Sequence, residues 1–208
     1  MINTRVLSTD DPQAIPAAVD IINNQGLIAF PTDTIYGLAG DPFNAAAIQK
    51  IFLAKARPEE KALPVLIGNA SQLDSLVLFI SERVKRIADA FWPGALTLIL
   101  PKHPNLPDEL SPYSTVGVRM PDLPFTLELL RQTGPLAATS ANISGGADPL
   151  TAEDVQSQLG GRVDLILDGG VTPGGTASTV LDATGTNLKI LRQGPIALSE
   201  IQAILNEE

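Results

Sequence analysis

Short apolar runs alternating with amphipathic stretches constrain the fold of this chain more than any other feature. Residues 26–30 (GLIAF), 63–68 (LPVLIG), 95–100 (ALTLIL), 114–119 (STVGVR) and 135–140 (PLAATS) read as short strands, with the apolarity of burial clearest in the first. Between them lie segments with helical spacing. Ile15, Ala18, Val19 and Ile22 share one face of a helix that Asp11 caps, with Pro12 in its first position and Gly26 as its stop. Ile48, Ile51 and Phe52 share a face of a second helix, capped by Asn44 and ending before Pro58. Residues 81–91, 123–132, 151–159 and 199–205 read as further helices, the third capped by Thr151 with Asp154 three residues on. Three β-rich pieces, VDLILDGG, STVLDAT and LKILRQG, come late. Interleaved strands and helices with β pieces clustering at the end predict one α/β domain, residues 1–208, around a mixed sheet.

Composition removes whole classes of function. The chain has no cysteine, which excludes thiol nucleophiles, thiolate metal sites and disulfides. Net charge is −9, so a nucleic acid is not the expected resting partner of its surface, and stable bulk RNA binding is not expected. No apolar run approaches the ~18 residues of a membrane span. The N-terminal MINTRVLSTDDPQ lacks a secretory apolar core, so a cytoplasmic protein is expected. One histidine, His103 in PKHPN, sits between prolines, where an exposed loop position competes with a base. There is neither a GxxxxGK[ST] loop nor a strand-bound GxGxxG.

Against the acidic background, KARPEEKALP (55–64) sets Lys55, Arg57 and Lys61 within seven residues. One reading is a helix C-terminus attracting cations through its dipole, worth about 0.3–1 kcal/mol each. The other is a clamp for a polyphosphate, with Arg57 offering a planar fork and the lysines acting as point charges. A unit charge pair at about 4 Å is worth roughly 4 kcal/mol at an effective dielectric of 20, so a bound anion would dominate. FPTDTIYGLAGDP (30–42) and TSANISGG (139–146) follow strands and are crowded with hydroxyls and amides. Each also reads as an ordinary turn, the first with Asp33 capping local amides. GGVTPGGTASTV reads as a hairpin loop or an anion nest.

Taken in order, FPTDTIYGLAGDPFN, IFLAKARPEEKALPVLI, FWPGALTLIL, VGVRMPD, ATSANISG, ASTVLD and ILRQGPI resemble the YrdC-like family of threonylcarbamoyl-AMP synthases, from about Gly26 to Ile196. Lys55/Arg57 and Ser140/Asn142 match its best-known signature. The resemblance implies a twisted, mostly open mixed sheet whose concave face holds the nucleotide. It implies that L-threonine, bicarbonate or CO2, and ATP become threonylcarbamoyl-AMP and pyrophosphate, with tRNA threonylcarbamoyl transferase proteins receiving the product. Carried over by motif, Thr34, Arg119, Ser140 and Ser178 contact threonine. Arg57, Lys61, Thr115, Asn142 and Arg192 contact ATP. Lys55 and Arg57 are the catalytic pair, with Lys55 near the reacting carbamate or phosphate, and Mg2+ accompanies ATP without a protein-held metal cage.

The chain departs from the family pattern at Asp33, where glutamate is usual, at Ala177, where glutamate is common, and at Gln193, where proline is frequent. It resembles the short form of the family, without the linker and second domain of longer relatives. Two other readings compete: a carbamoyl-AMP-forming module like that of hydrogenase maturation proteins, and an RNA-binding assembly factor. Arg83, Lys85 and Arg86 form the basic cluster the latter would use, and the same cluster reads as the solvated face of a helix.

Overall fold

Side chains that alternate along a strand leave on opposite faces, so each strand divides its apolar residues between two cores. In the computed structural model, which describes residues 2–56 and 62–206, that division organises the molecule. The strands are β1 (Arg5–Ser8), β2 (Ile28–Phe30), β3 (Gly37–Gly40), β4 (Val65–Leu66), β5 (Leu96–Pro101), β6 (Thr115–Arg119), β7 (Leu136–Ser140), β8 (Leu165–Asp168), β9 (Thr179–Asp182) and β10 (Lys189–Arg192). They form one sheet in the order β1-β8-β2-β3-β7-β4-β6-β5-β9-β10. The pairs β1/β8, β8/β2, β4/β6 and β5/β9 are parallel, and the remaining neighbours are antiparallel. The sheet is therefore mixed, and it is open because β1 and β10 end it on opposite sides.

Among the described residues six α-helices accompany it: α1 (Ala14–Asn23), α2 (Ala45–Lys55), α3 (Glu82–Phe91), α4 (Pro124–Thr133), α5 (Ala152–Leu159) and α6 (Leu198–Asn206). One core holds Ala29 of β2, Val65 of β4, Leu96, Leu98 and Leu100 of β5, Val116 and Val118 of β6, and Ile166 of β8. Against it lie Ile48, Ile51 and Phe52 of α2, Val84 and Ile87 of α3, Val155 of α5 and Ile201 of α6. The other core takes the alternate residues, Ile28 and Phe30, Leu136 and Ala138, Leu165 and Leu167, beneath α1 and α4. Burying a side chain of this size contributes about 1.5–3 kcal/mol, enough to fix the register of each strand.

On this second face, α1 and α4 cover only part of the sheet. Further along, the same face carries Pro64, Gly117 and Arg119, Thr97 and Ile99, and Ser178 and Val180, which line a cavity together with Leu66 at the margin of the second core. The uncovered face is where a ligand can sit.

Local signals and structure differ in several places. α1 begins at Ala14 with Gln13 at its N-cap; the Asp11 carboxylate accepts from the Gln13 amide at 2.8 Å, forming a turn before the helix instead of capping it. The helix stops through Gln25, at φ 61°, and Gly26 then donates its amide to Ile21 O. Asn44, Ser81 and Thr151 cap α2, α3 and α5, and Thr151 with Asp154 completes a capping box. GGVTPGGTASTV is not a hairpin, because β8 pairs with β1 and β2 while β9 pairs with β5 and β10.

Candidate functional site

The cavity has a volume of about 480 Å³ and draws on segments far apart in sequence. Thr32, Thr34, Ile35 and Tyr36 enter from the turn before β3 and Gly37 from its first position, Thr139 and Ser140 from the end of β7, and Arg119 from the end of β6. Thr97 belongs to β5, Ala177 and Ser178 lead into β9, and Arg192 ends β10.

Arg119 is buried, and its guanidinium is held from three sides. Nε donates to Gly94 O at 2.9 Å, Nη1 to Thr34 Oγ1 at 2.9 Å, and Nη2 to Asp33 Oδ1 at 2.5 Å. A guanidinium has five N–H groups, so two remain for a ligand, the number a bidentate carboxylate accepts. Burial draws the Arg119 pKa down from its ordinary value, and Asp33 opposes that by charge and hydrogen bonding. Asp33 thus serves Arg119 and is not the local cap. That role belongs to Thr32, whose Oγ1 accepts from the Thr34 and Ile35 amides at 3.1 and 3.3 Å.

Arg192 is exposed at the opposite wall. Its Nε and Nη2 donate to Ser178 O at 3.0 and 2.9 Å, and Nη2 also reaches Ser178 Oγ at 3.1 Å. Nη1 has no hydrogen-bond partner among the described residues. Partial desolvation and then the like charge of Arg119 lower its pKa, while Asp148 raises it, so the two guanidiniums sense each other across the cavity. Both remain charged at neutral pH. Ser178 is fixed by Thr97, their hydroxyl oxygens 2.8 Å apart.

Lys55 ends α2 and is 1% exposed. Its ammonium donates to Ser140 O, to Asn142 O at 2.5 Å and to Asn142 Oδ1 at 3.0 Å. An ammonium out of water costs several kcal/mol unless it is bonded in this way. The cation thereby secures the turn that follows β7. Ser140 Oγ donates to Asn142 Oδ1 at 2.6 Å, and Asn142 Nδ2 donates to Gly146 O at 2.8 Å.

The cavity therefore gathers Thr34, Arg119, Ser140, Ser178 and Arg192. Lys55 and Asn142 stand directly behind Ser140 and are not among its lining residues. Thr115 is also outside the lining; it shares the face of Gly117 and Arg119, about 13 Å along β6 from the latter. Arg57 and Lys61 lie outside the described residues. Thr32, Tyr36, Thr97, Thr139 and Asp148 are lining residues that motif reading did not single out. For Thr97 a signal existed: in ALTLIL, Leu96, Leu98 and Leu100 are core, so Thr97 is the polar interruption of the opposite face.

His103 is not among the residues that line this cavity. Its Nδ1 accepts the Asn105 amide at 3.2 Å in a turn. The basic cluster on α3 is spent on structure: Arg83 donates to Thr186 O and Gly185 O, Lys85 pairs with Glu82 at 2.6 Å, and Arg86 donates to Ile204 O at 2.7 Å. Among the described residues, no helix is long and apolar enough to cross a membrane.

Comparison with known proteins gives this geometry a context. The chain is 45% identical over 208 residues to the threonylcarbamoyl-AMP synthase of Bacillus subtilis, covering 97% of this chain and 59% of that protein. It is 37% identical to a putative threonylcarbamoyl-AMP synthase of Mycobacterium tuberculosis, covering 97% of this chain and 95% of the other. It superimposes with a TM-score of 0.91 on the crystal structure of P. abyssi Sua5 complexed with L-threonine, at 37% identity, over 100% of this chain and 61% of that one. The chain thus spans about three fifths of the Bacillus and P. abyssi proteins. The Sua5/YciO/YrdC family model, described as "Telomere recombination", matches residues 20–194, and the chain belongs to that family.

Proposed function

We propose that this chain is an L-threonylcarbamoyladenylate synthase, a nucleotidyltransferase joining L-threonine, bicarbonate or CO2, and ATP into threonylcarbamoyl-AMP with release of pyrophosphate. The observation that carries the reading is the pair of guanidiniums on one cavity, Arg119 with two N–H groups left and Arg192 with Nη1 left, set among hydroxyls. Two separated cations suit a substrate pair with a carboxylate at one end and phosphates at the other.

The amine of threonine adds to CO2 and loses a proton, giving a carbamate. A carbamate oxygen then attacks the α-phosphorus of ATP, the bond to the β-phosphate oxygen breaks, and pyrophosphate leaves. The carbamate is already an oxygen nucleophile, so the site has to align two substrates and stabilise phosphate charge. Arg119 takes the threonine carboxylate, and Thr34, Ser140 and Ser178 take its polar groups. Arg192, Asn142 and Thr115 serve ATP with Arg57 and Lys61, and the position of Thr115 along the Arg119 face suits an extended ligand. Lys55, whose ammonium donates to Ser140 O, Asn142 O and Asn142 Oδ1, acts from behind the cavity by fixing the Ser140–Asn142 turn near the point where carbamate and phosphate meet, and the direct catalytic contact of the pair falls to Arg57.

Mg2+ would arrive on the triphosphate and neutralise part of its charge. Among the described residues no cluster of three or more His, Cys, Asp or Glu could hold a metal, and Asp148 is the carboxylate lining the cavity, so the donor set fits an ion held chiefly by ATP. The product's mixed anhydride is labile and would pass to a tRNA threonylcarbamoyl transferase. Mass spectrometry of a reaction with ATP, L-threonine and bicarbonate tests the proposal. Threonylcarbamoyl-AMP and pyrophosphate in equal amounts are expected; equal turnover with serine, or with no amino acid, would exclude threonine as the substrate.

A further inference from the structure

Hydroxyl groups in this cavity have their protons committed before a ligand binds. Thr32 Oγ1 lies 2.7 Å from Ile35 O, and a carbonyl brings no proton, so the Thr32 hydroxyl donates there. The same oxygen lies 2.9 Å from Thr34 Oγ1. A hydroxyl has one proton. Since that of Thr32 is spent, only Thr34 can donate in this second bond, and its proton shares the Thr32 lone pairs with the longer contacts from the Thr34 and Ile35 amides at 3.1 and 3.3 Å. Arg119 Nη1 meanwhile donates to Thr34 Oγ1, which leaves Thr34 one lone pair and no proton for a ligand.

Ser140 is fixed in the same sense. Its Oγ donates to Asn142 Oδ1, and the amide cannot turn over, because Lys55 Nζ donates to that oxygen while Nδ2 donates to Gly146 O.

We infer that Thr32 and the Asn142 amide set the hydrogen-bond polarity of the cavity: they turn the Thr34 and Ser140 protons away, so a bound amino acid must supply N–H or O–H donors at both places. Thr32 acts through Thr34 and is a positioning residue. The inference rests on the proposed function and deepens it. A freely rotating hydroxyl accommodates a donor or an acceptor, whereas a committed one rejects an acceptor. An amino acid with an ammonium and a β-hydroxyl carries the donors that this arrangement demands, and its carboxylate matches the open N–H groups of Arg119.

Calorimetric titration of L-threonine, and separately of ATP, into the wild type, Thr32→Val and Thr32→Ser tests it. Valine removes the hydroxyl at nearly constant shape; serine restores it. Threonine affinity is expected to fall about tenfold or more in Thr32→Val, with ATP affinity within about twofold, and to return to within about threefold in Thr32→Ser. Unchanged threonine affinity in Thr32→Val, or no rescue by serine, overturns the inference.

Because Thr32 is buried, a second measurement uses the wild type alone. With threonine-labelled protein, NMR is expected to show the Thr34 hydroxyl proton protected from exchange and close to Thr32, with and without bound L-threonine. A contact from that proton to the bound amino acid overturns the inference. Wild-type protein that binds no threonine at all instead overturns the proposed function, a result distinct from either of these.

Discussion

Arg119, proposed to take the threonine carboxylate, is also a structural residue. Its guanidinium is 7% exposed and meets Asp33 at 12% exposure, so removing either partner strands a largely buried charge. That typically costs about 3–5 kcal/mol of stability. Arg119→Ala alone would therefore mix lost binding with lost folding. Combining it with Asp33→Asn separates the two. The double variant is expected to recover most of the stability in urea titrations while still binding threonine at least about 100-fold more weakly, the scale of two charge-assisted hydrogen bonds. ATP affinity should stay nearly unchanged. Threonine affinity that recovers along with stability would show that Arg119 only braces the turn.

Tyr36 offers a second test at this scale. Its hydroxyl donates to Gly170 O at 2.8 Å and accepts from the Gly169 amide at 3.1 Å, joining the β3 turn to the loop after β8. Burial, against the opposing pull of the Gly169 amide, pushes its pKa from 10.0 up to about 12. The folded state keeps this proton where the unfolded chain releases it. The stabilisation is therefore complete below pH 10 and is lost as pH rises toward 12. The stability difference between wild type and Tyr36→Phe should be constant up to about pH 10 and shrink above it, as urea unfolding at several pH values would show. A difference that widens above pH 10 would contradict the burial assigned to this phenol.

Among the elements, those with local stop and start signals were legible in sequence. Asn44, Ser81 and Thr151 announce α2, α3 and α5 because a cap is a bond between near neighbours. β3 was not legible: GLAG has no β-branched residue, yet it lies fully buried between β2 and β7. Space accounts for Gly40, where a Cβ would lie 3.1 Å from Leu27 Cδ2, whereas one at Gly37 would meet nothing closer than 3.7 Å. β1 was missed for the opposite reason, being a mostly exposed edge strand whose one neighbour is β8. The turn after β10 makes a sharper demand. A Cβ on Gly194 would lie 2.3 Å from Thr179 N and 2.5 Å from Ser178 C, both backbone atoms. Gly194→Ala must therefore push this turn off Ser178 and carry Arg192 with it. A loss of about 1–3 kcal/mol and at least tenfold weaker ATP binding are expected. Gly185→Ala, whose Cβ would find nothing closer than 3.9 Å, should stay within about 0.5 kcal/mol of wild type. Equal behaviour of the two variants would dissociate the turn from the site.

At the scale of the whole molecule, the site is made by strand order. Antiparallel β3 and β7 set Gly37 opposite Ser140, parallel β5 and β9 bring Thr97 beside the approach to Thr179, and β6 delivers Arg119 between them. Such pairings have no local signature: Thr32 and Tyr36 share the FPTDTIYGLAGDP run with Thr34, and Thr97 interrupts an apolar strand, but only the assembled sheet turns all of them toward one cavity. The same geometry separates the proposed nucleotide site from the surface cations that an RNA would use, in a chain of net charge −9. Arg83 and Arg86 are occupied by carbonyls of distant segments, whereas Arg119 and Arg192 open on one cavity. A ligand that fills the cavity stabilises the fold by about 2.7 kcal/mol at 100 times its Kd, or about 5–11 °C in Tm for a chain of this size. Threonine with a non-cleavable ATP analogue should produce such a shift in thermal unfolding, and Arg192→Ala should remove the nucleotide's share. At about 0.15 M salt, where exposed charges more than about 8 Å apart are largely screened, tRNA at the same phosphate concentration should shift Tm by less than about 1 °C. A tRNA shift matching that of the nucleotide, and surviving in Arg192→Ala, would move the polyanion site out of the cavity and onto the surface.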